Sequence, residues 1–256
     1  PAAFCGVVGL KPTYGRISRW GLLAYGSSFD QIGALTHSVA DAARLLEVMA
    51  GPDEYDATAS RREVPAYSEQ LHFPEKARIA YYETALEGEG MDGSIREATR
   101  GCIERLRAAG HTVEPVEFPL LDYIIPAYYV LTTAEASSNL SRYDGIRYGH
   151  RSPEAGDLLS TYQRSRTEGF GPEVKRRIML GAFVLSAGYY DAYYSKAQKV
   201  RRLIQEATLR ILRDYDFILM PASPVPPWPL GEKMDDPVAM YLADIFTVQA
   251  NMAGIP

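Results

Sequence analysis

The sequence has few cysteines and no excess of positive charge. Its 256 residues include two cysteines, Cys5 and Cys102, and the formal net charge is −5. Two thiols are too few for a disulfide framework, so we expect a protein of the reducing cytoplasm. A chain of net negative charge favours no broad contact with a nucleic-acid backbone, so we expect any RNA to be held by another chain.

Long apolar runs and metal-ligand patterns are also missing from the sequence. No apolar stretch reaches the length that a membrane-spanning helix needs. The four histidines are far apart, and none pairs with a carboxylate or a cysteine at helical spacing. A glycine-rich phosphate loop, a dinucleotide fingerprint and a Gly-x-Ser-x-Gly turn are absent as well. The sequence therefore predicts no metal and no cofactor bound by this chain.

What the sequence does contain is the pattern of a globular α/β protein. The clearest signal is a strand over 77–82, an amphipathic helix over 94–109 and a strand over 112–116, which is typical of a crossover unit in an open α/β sheet. Cys102 falls on the apolar stripe of that helix, so we expect a buried, unreactive thiol. Further helices are predicted over 39–49, 124–140, 173–194 with a break at Gly188, and 237–247. Short strands and turns are predicted over 4–10 and 17–23, a short buried strand over 217–220, and an extended loop over 221–227.

Three polar features suggest a pocket for a small polar ligand. Arg176 and Arg177 lie near the start of a predicted helix, which is the unfavourable end for cations, so they need another role such as binding a carboxylate. Tyr128 and Tyr129 interrupt an apolar helix with hydroxyl groups that need partners. Asp244 stands among apolar neighbours, where an acid is costly unless it is paired. A surface ion pair, a packing tyrosine and a capping aspartate explain the same residues, and the pattern alone leaves both explanations open.

A cluster of serines over 26–31 is the nearest approach to a nucleophile. Its composition, Gly-Ser-Ser-Phe-Asp-Gln, is typical of a polar turn, and we prefer that interpretation. A catalytic triad is assembled in space and not in sequence order, so the pattern does not exclude one.

Five longer segments resemble a known family. The opening segment, PAAFCGVVGLKPTYGR, resembles the stretch that closes the signature of the amidase-signature family. Four later segments resemble, within that family, the A subunits of tRNA-dependent amidotransferases. These segments are 27–33, 135–145, 168–178 and 235–247.

The resemblance implies a fold and a reaction. The fold is α/β, with a mixed β-sheet core sandwiched by helices. A Ser–Ser–Lys triad hydrolyses glutamine to glutamate and ammonia, and a B subunit uses the ammonia to convert Glu-tRNA(Gln) to Gln-tRNA(Gln). The resemblance implies ATP and Mg at that B subunit, tRNA held through it, and a C subunit as a further partner.

The resemblance also implies that the reacting groups are outside this sequence. The family's two serines and its lysine precede the equivalent of Pro1, so we expect no catalytic residue in this chain. We expect residues 1–256 to be a single amidase domain that lacks its N-terminal part and its extreme C-terminus, and to be inactive alone. A general amidase for other amides and a non-catalytic binding or assembly scaffold are the alternatives.

The substrate side of the site can be carried over residue by residue. Arg177 matches the position that binds the α-carboxylate of glutamine, Asp244 the position for the α-ammonium group, and Tyr128 a position that offers a hydroxyl group. The resemblance implies that Arg177 and Asp244 converge on one amino acid. It also implies a pocket wall formed by Phe4, Cys5 and Gly6.

Overall fold

The computed structural model of the protein describes residues 1–73, 75–88, 90–231 and 243–256. The chain divides into two compact units, one of residues 1–20, 31–125 and 201–256, the other of residues 21–30 and 126–200. The prediction of a single amidase domain stays a prediction.

The α-helices are Ala2–Cys5 (α1), Val39–Met49 (α2), Glu83–Glu87 (α3), Gly93–Ala108 (α4), Leu121–Asn139 (α5), Leu158–Gly169 (α6), Pro172–Val184 (α7), Lys196–Asp214 (α8) and Val248–Ala253 (α9). The strands are Val8–Leu10 (β1), Ala34–Thr36 (β2), Arg78–Tyr81 (β3), Thr112–Pro115 (β4) and Phe217–Leu219 (β5).

The centre of the first unit is a parallel sheet of order β4-β3-β5. In its register Ile79 is opposite Val113 on one side and Phe217 on the other. Ile79, Ala80 and Tyr81 are all buried, because the middle strand of a parallel sheet is covered on both faces. The predicted strand-helix-strand crossover over 77–116 is confirmed.

Helix α4 packs on this sheet through a different residue than the pattern predicts. Ile103 is 3% exposed and joins the apolar core with Ile79 and Val113, whereas Cys102 is only partly buried. The prediction of a fully buried Cys102 is therefore wrong. Leu106 of the predicted stripe does pack against this core, so the prediction fails at Cys102 and holds at Leu106.

The ends of the first unit show two further differences. The strand predicted over 4–10 is wrong in its first half, since residues 2–5 form α1 and Gly6, with φ of 64°, ends that helix in the left-handed conformation. Only β1 remains of the predicted strand, and it pairs antiparallel with β2. The strand near 217–220 is present, but Phe217 is 49% exposed, so the prediction of a fully buried strand is wrong at that residue.

Helix α2 agrees with its prediction at both ends. The Ser38 side chain accepts a hydrogen bond from the backbone N–H of Asp41, and the helix ends at Met49 before Gly51-Pro52. Residues 221–227, where the sequence predicts an extended loop, form no helix and no strand. Of the helix predicted over 237–247, residues 237–242 lie outside the described residues, and 243–247 form turns that lead into α9. Among the helices of the described part of the chain, none is long and apolar enough to cross a membrane.

The second unit is helical and is built mainly from α6, α7 and most of α5. The helix predicted over 124–140 is confirmed as α5, with an earlier start. The helix predicted over 173–194 is interrupted: α7 ends at Val184, a turn follows, and residues 190–195 form a π-helix that continues into α8. The turn is closed by Ser186, whose hydroxyl group donates to the Phe183 carbonyl oxygen at 2.7 Å. Sequence analysis did not single out α6, which begins with a capping box of Asp157 and Ser160.

Candidate functional site

The candidate site of the second unit is centred on Arg177 in α7. Pro172 occupies the first turn of this helix, where its missing N–H costs nothing, and Glu173 places a negative charge near the helix N-terminus. Arg177 follows Glu173 by four residues, which brings the two side chains to the same face of the helix. The Arg177 side chain is 28% exposed, so its charge is largely withdrawn from water.

Among the described residues, two side chains hold the guanidinium group of Arg177 by hydrogen bonds. Its Nε donates to the Oε1 atom of Glu173 at 2.8 Å, and its Nη1 donates to the hydroxyl oxygen of Tyr25 at 3.0 Å. The Cζ atom also lies 5.6 Å from the ring centre of Tyr25 and 5.9 Å from that of Tyr129, within the range of cation–π attraction. A hydrogen-bonded acid and two aromatic rings therefore surround one planar cation.

These neighbours further favour the charged form of Arg177, which an arginine has at physiological pH in any case. Burial alone would lower the pKa of Arg177, but the hydrogen bond to Glu173 and the interaction with Tyr25 outweigh burial and raise the pKa above its ordinary value. A half-buried cation that stays protonated at every physiological pH is suited to binding an anion, and a guanidinium group matches the geometry of a carboxylate.

Arg176 has a different position although it adjoins Arg177. Its Nη1 donates to the Oε2 atom of Glu173 at 2.6 Å, so one carboxylate accepts from both arginines. The Arg176 side chain is 48% exposed. The surface ion pair considered for both arginines in the sequence analysis therefore describes Arg176, whereas Arg177 is the more enclosed of the two.

Tyr128 reaches this site through its neighbour. The ring of Tyr128 lies edge to face with the ring of Tyr129 at 5.3 Å, and Tyr129 lies against Arg177. On its other side Tyr128 contacts the ring of Phe29 at 5.4 Å. The structure thus brings Tyr128 and Arg177, two of the predicted substrate-binding residues, into one aromatic cluster.

A turn over residues 25–30 carries Tyr25 and Phe29 to the cluster. The Asp30 carboxylate accepts from the backbone N–H groups of Tyr25 and Gly26 at 2.8 Å and 3.0 Å. The Glu135 carboxylate accepts from the backbone N–H of Ser28 at 2.9 Å and from its hydroxyl group at 2.5 Å. The predicted polar turn is confirmed: Ser28 donates to Glu135, and the hydroxyl oxygen of Ser27 accepts from Asn139.

Asp244 belongs to the other compact unit, in the turns before α9. Its backbone carbonyl accepts from the N–H groups of Thr247 and Val248. The residue is exposed, while its neighbours Ala243 and Phe246 are buried. Because Asp244 is exposed, its apolar neighbours do not by themselves require the acid to be paired. Its assignment to the α-ammonium group stays a prediction.

The predicted pocket wall also lies in the first unit. Phe4 contacts the ring of Trp228 edge to face at 5.0 Å and, with Cys102 and Pro221, lines a cavity of about 310 Å³. Cys5 and Gly6 are exposed at the end of α1. The structure places Phe4 beside a cavity, and the role of all three residues as a pocket wall stays a prediction.

Two residues that hold Arg177 were not recognised in the sequence. Glu173 could have been found, since its spacing of four residues from Arg177 is that of a helical ion pair. Tyr25 gives no such signal, because it is 152 residues away from Arg177 along the chain. Among the described residues, no group of three or more histidine, cysteine or acidic side chains is arranged to hold a metal ion.

Comparison with known proteins identifies the family. A family model described as Amidase matches residues 1–256, the whole length of the chain. The chain belongs to the amidase family. The crystal structure of the A subunit of glutamyl-tRNA(Gln) amidotransferase from Thermotoga maritima superimposes on this amidase with a TM-score of 0.74 and 40% identity, over 99% of this chain and 50% of that one. The predicted α/β amidase fold is thus confirmed.

Curated relatives are more similar in sequence. The A subunit of glutamyl-tRNA(Gln) amidotransferase of Acidobacterium capsulatum is 54% identical to this amidase over 255 residues. The protein of the same name from Chlorobium limicola is 54% identical over 258 residues. Both matches cover 100% of this amidase and 54% of the relative. The chain therefore spans about half the length of the curated relatives it matches.

Proposed function

We propose that this chain is the substrate-binding part of a glutamine amidohydrolase that works as the A subunit of a tRNA-dependent amidotransferase. In this proposal the intact protein hydrolyses glutamine to glutamate and ammonia. A partner B subunit, with ATP and Mg, uses the ammonia to convert Glu-tRNA(Gln) to Gln-tRNA(Gln), and a C subunit completes the assembly. The relatives share the name of the A subunit of glutamyl-tRNA(Gln) amidotransferase, which supports this proposal.

The observation that carries the proposal is the anchored cation at Arg177. A free amino acid presents an α-carboxylate, and a guanidinium group binds such a group by two parallel N–H bonds. Arg177 is oriented before any ligand arrives, because Glu173 and Tyr25 already hold it. Less orientational freedom is then lost on binding, which favours affinity.

Two further side chains have roles in the proposal. Tyr128 offers its hydroxyl group to the substrate from the aromatic cluster that encloses Arg177. Asp244 pairs with the α-ammonium group of glutamine. A carboxylate and a guanidinium group together select a free amino acid over a neutral amide. A ligand without an α-ammonium group would leave the carboxylate unpaired, and a ligand without an α-carboxylate would leave the guanidinium group unpaired.

The amide bond itself is attacked by groups that the family resemblance assigns to a Ser–Ser–Lys triad. This chain's residues then act by position: they hold the α-carbon end of glutamine so that the side-chain amide meets the serine nucleophile. Fixing a reactant in an attack geometry removes a large part of the entropic barrier. Loss of an anchor therefore weakens substrate binding first and affects the chemical step less.

The test is the substitution Arg177→Ala in the full-length protein, in complex with its partner subunits. We expect the KM for glutamine to rise by about thirtyfold or more, because truncating one partner of an enclosed charge pair costs about 2–5 kcal/mol. Arg176→Ala is the matched control, since it removes the same side chain from the same helix and the same Glu173 carboxylate. Its KM should stay within about twofold of the wild type.

The rival functions give different results in the same assay. A general amidase would hydrolyse simple amides without an α-carboxylate or an α-ammonium group as well as glutamine, and Arg177→Ala would leave its KM unchanged. A scaffold without catalytic function would give a full-length complex that releases no ammonia from glutamine. Either result would refute the proposal.

A further inference from the structure

Tyr25 reaches Arg177 from outside α7. It makes two contacts with the guanidinium group: its hydroxyl oxygen accepts from Nη1 at 3.0 Å, and its ring centre lies 5.6 Å from Cζ. Glu173 holds the same group at Nε. Two hydrogen bonds to different nitrogen atoms of a planar group fix both its position and the orientation of its plane.

Tyr25 is itself fixed by side-chain contacts on both of its backbone polar groups. Its N–H donates to the Asp30 carboxylate at 2.8 Å, and its carbonyl oxygen accepts from the Nδ2 atom of Asn139 at 3.0 Å. Asn139 Nδ2 also donates to the hydroxyl oxygen of Ser27 at 2.9 Å. Local contacts of this kind give a turn one defined backbone conformation. The Tyr25 side chain therefore projects from a braced position.

Helix α5 holds this turn at a second place. Glu135 holds the next part of the turn through both donors of Ser28. Phe29 of the same turn packs on Tyr128 at 5.4 Å, so the turn contacts the aromatic cluster at two places. The orientation of Arg177 thus depends on a turn that is anchored to the same helix that carries Tyr128 and Tyr129.

We propose that Tyr25 is a specificity-determining residue that acts through Arg177: its hydroxyl group and ring set the guanidinium plane that receives the α-carboxylate of the substrate. This inference rests on the proposed function, because it names the residue that orients the proposed carboxylate anchor. The proposal predicts an effect on the KM for one class of amide and not for the other. Removing the hydroxyl group should weaken binding of amides that carry an α-carboxylate and should leave amides without one unaffected.

The experiment compares two amides in the full-length protein, in complex with its partner subunits. Glutamine carries the α-carboxylate, and 4-aminobutanamide is the same molecule without it. For Tyr25→Phe we expect the KM for glutamine to rise about two- to tenfold with kcat nearly unchanged, because the lost hydrogen bond acts on the substrate through Arg177 and not directly. For the amide without the α-carboxylate, neither the Michaelis constant nor the inhibition constant against glutamine should change.

Tyr162→Phe is the matched control for this variant. Tyr162 lies on α6 of the same unit, partly exposed, and the described part of the chain offers its hydroxyl group no hydrogen-bond partner. The Tyr162→Phe variant should have the wild-type KM for glutamine and for 4-aminobutanamide. Asn139→Ala loosens Tyr25 from the backbone side and carries the same test if Tyr25→Phe does not fold, with the same selective rise in KM expected.

The outcomes separate the two proposals. A wild-type complex that hydrolyses glutamine, with Tyr25→Phe and Asn139→Ala at wild-type KM, would overturn the role of Tyr25 and leave the proposed function standing. Equal losses for glutamine and 4-aminobutanamide would also overturn it, because a structural defect does not distinguish the two amides. A wild-type complex without glutaminase activity would remove the basis of both.

Discussion

Gly181 in α7 lies against Thr133 in α5 so closely that a Cβ atom at position 181 would be 2.0 Å from the Thr133 carbonyl oxygen. The same atom would be 2.6 Å from the Cβ atom of Ser137. Neither neighbour is the end of a flexible side chain. The crossing of the two helices that bear Arg177 and Tyr128 therefore requires glycine at this point.

The first prediction concerns this crossing. Gly181→Ala should destabilise the protein by about 3 kcal/mol or more, because the added methyl group forces the helices apart. Thermal unfolding measures the loss. Gly188→Ala is the control, since a Cβ atom there meets nothing within 4 Å and Gly188 lies in the turn after α7. A Gly181→Ala variant as stable as the wild type would show that the helices do not cross so closely.

The second prediction concerns the brace on the turn over 25–30. Glu135→Gln should lower the free energy of unfolding by about 1–2 kcal/mol, because an amide group replaces one of two oxygens that accept from Ser28. Glu97→Gln, on an exposed helix position without an ion pair among the described residues, should change stability by less than about 0.5 kcal/mol. Equal effects of the two substitutions, measured by denaturant titration, would contradict the assignment.

The third prediction concerns acid stability. Asp56 accepts from the Thr58 hydroxyl group at 2.7 Å and from the backbone N–H of Arg19 at 2.9 Å. The hydrogen bond from Thr58 and that from the Arg19 backbone lower the pKa of Asp56 to about 2. A carboxylate whose pKa is lower in the folded state stabilises the protein above its unfolded pKa and ceases to do so as the pH falls through the folded pKa.

Asp56→Asn should therefore lower the free energy of unfolding by about 1 kcal/mol near neutral pH, a value that allows for solvent screening. The difference in stability between the variant and the wild type should shrink as the pH falls from about 4 to about 2. Melting temperatures of both proteins across this range provide the measurement. Glu117→Gln, at an exposed position of the same unit, serves as the control. A difference that stays constant down to pH 2 would show that Asp56 is not held as a carboxylate.

The fourth prediction concerns the chain of 256 residues by itself. Purified alone, it should release no ammonia from glutamine, because the proposal places the serine nucleophile in the part of the relatives that this chain does not match. A coupled assay for glutamate and ammonia detects turnover. Measurable turnover that Arg177→Ala abolishes would move the catalytic residues into this chain and refute that placement.

The sequence predicted the crossover unit well and the contacts of single side chains less well. The strand-helix-strand unit over 77–116 has a strong periodic signal, because its elements each bury one continuous face. The choice between Cys102 and Ile103 as the buried residue of α4 turns on about 100° of helix rotation, which packing partners decide and local pattern does not. The exposure of Asp244 was likewise not visible from the apolar residues beside it in the sequence.

The candidate site was predicted in its chemistry and not in its construction. Charge and polarity at unusual places in helices pointed to Arg176, Arg177, Tyr128 and Tyr129, and the family resemblance narrowed these to Arg177 and Tyr128. The structure brings both into one aromatic cluster. Tyr25 was missed because its contact with Arg177 spans 152 residues of sequence. A contact between residues so far apart in sequence is set by the tertiary fold and is not visible in any local stretch of the sequence.

The order of the parallel sheet has a consequence for synthesis of the chain. Strand β3 receives β4 soon after it is made, but its other neighbour, β5, begins next to Asp216, which is 138 residues later than Arg78. At about 5–20 residues per second, the ribosome needs roughly 7–30 s to supply that stretch. During this interval the backbone hydrogen-bonding groups on one side of β3 have no strand to pair with. The nascent chain is then most accessible to chaperones and to mispairing with other chains.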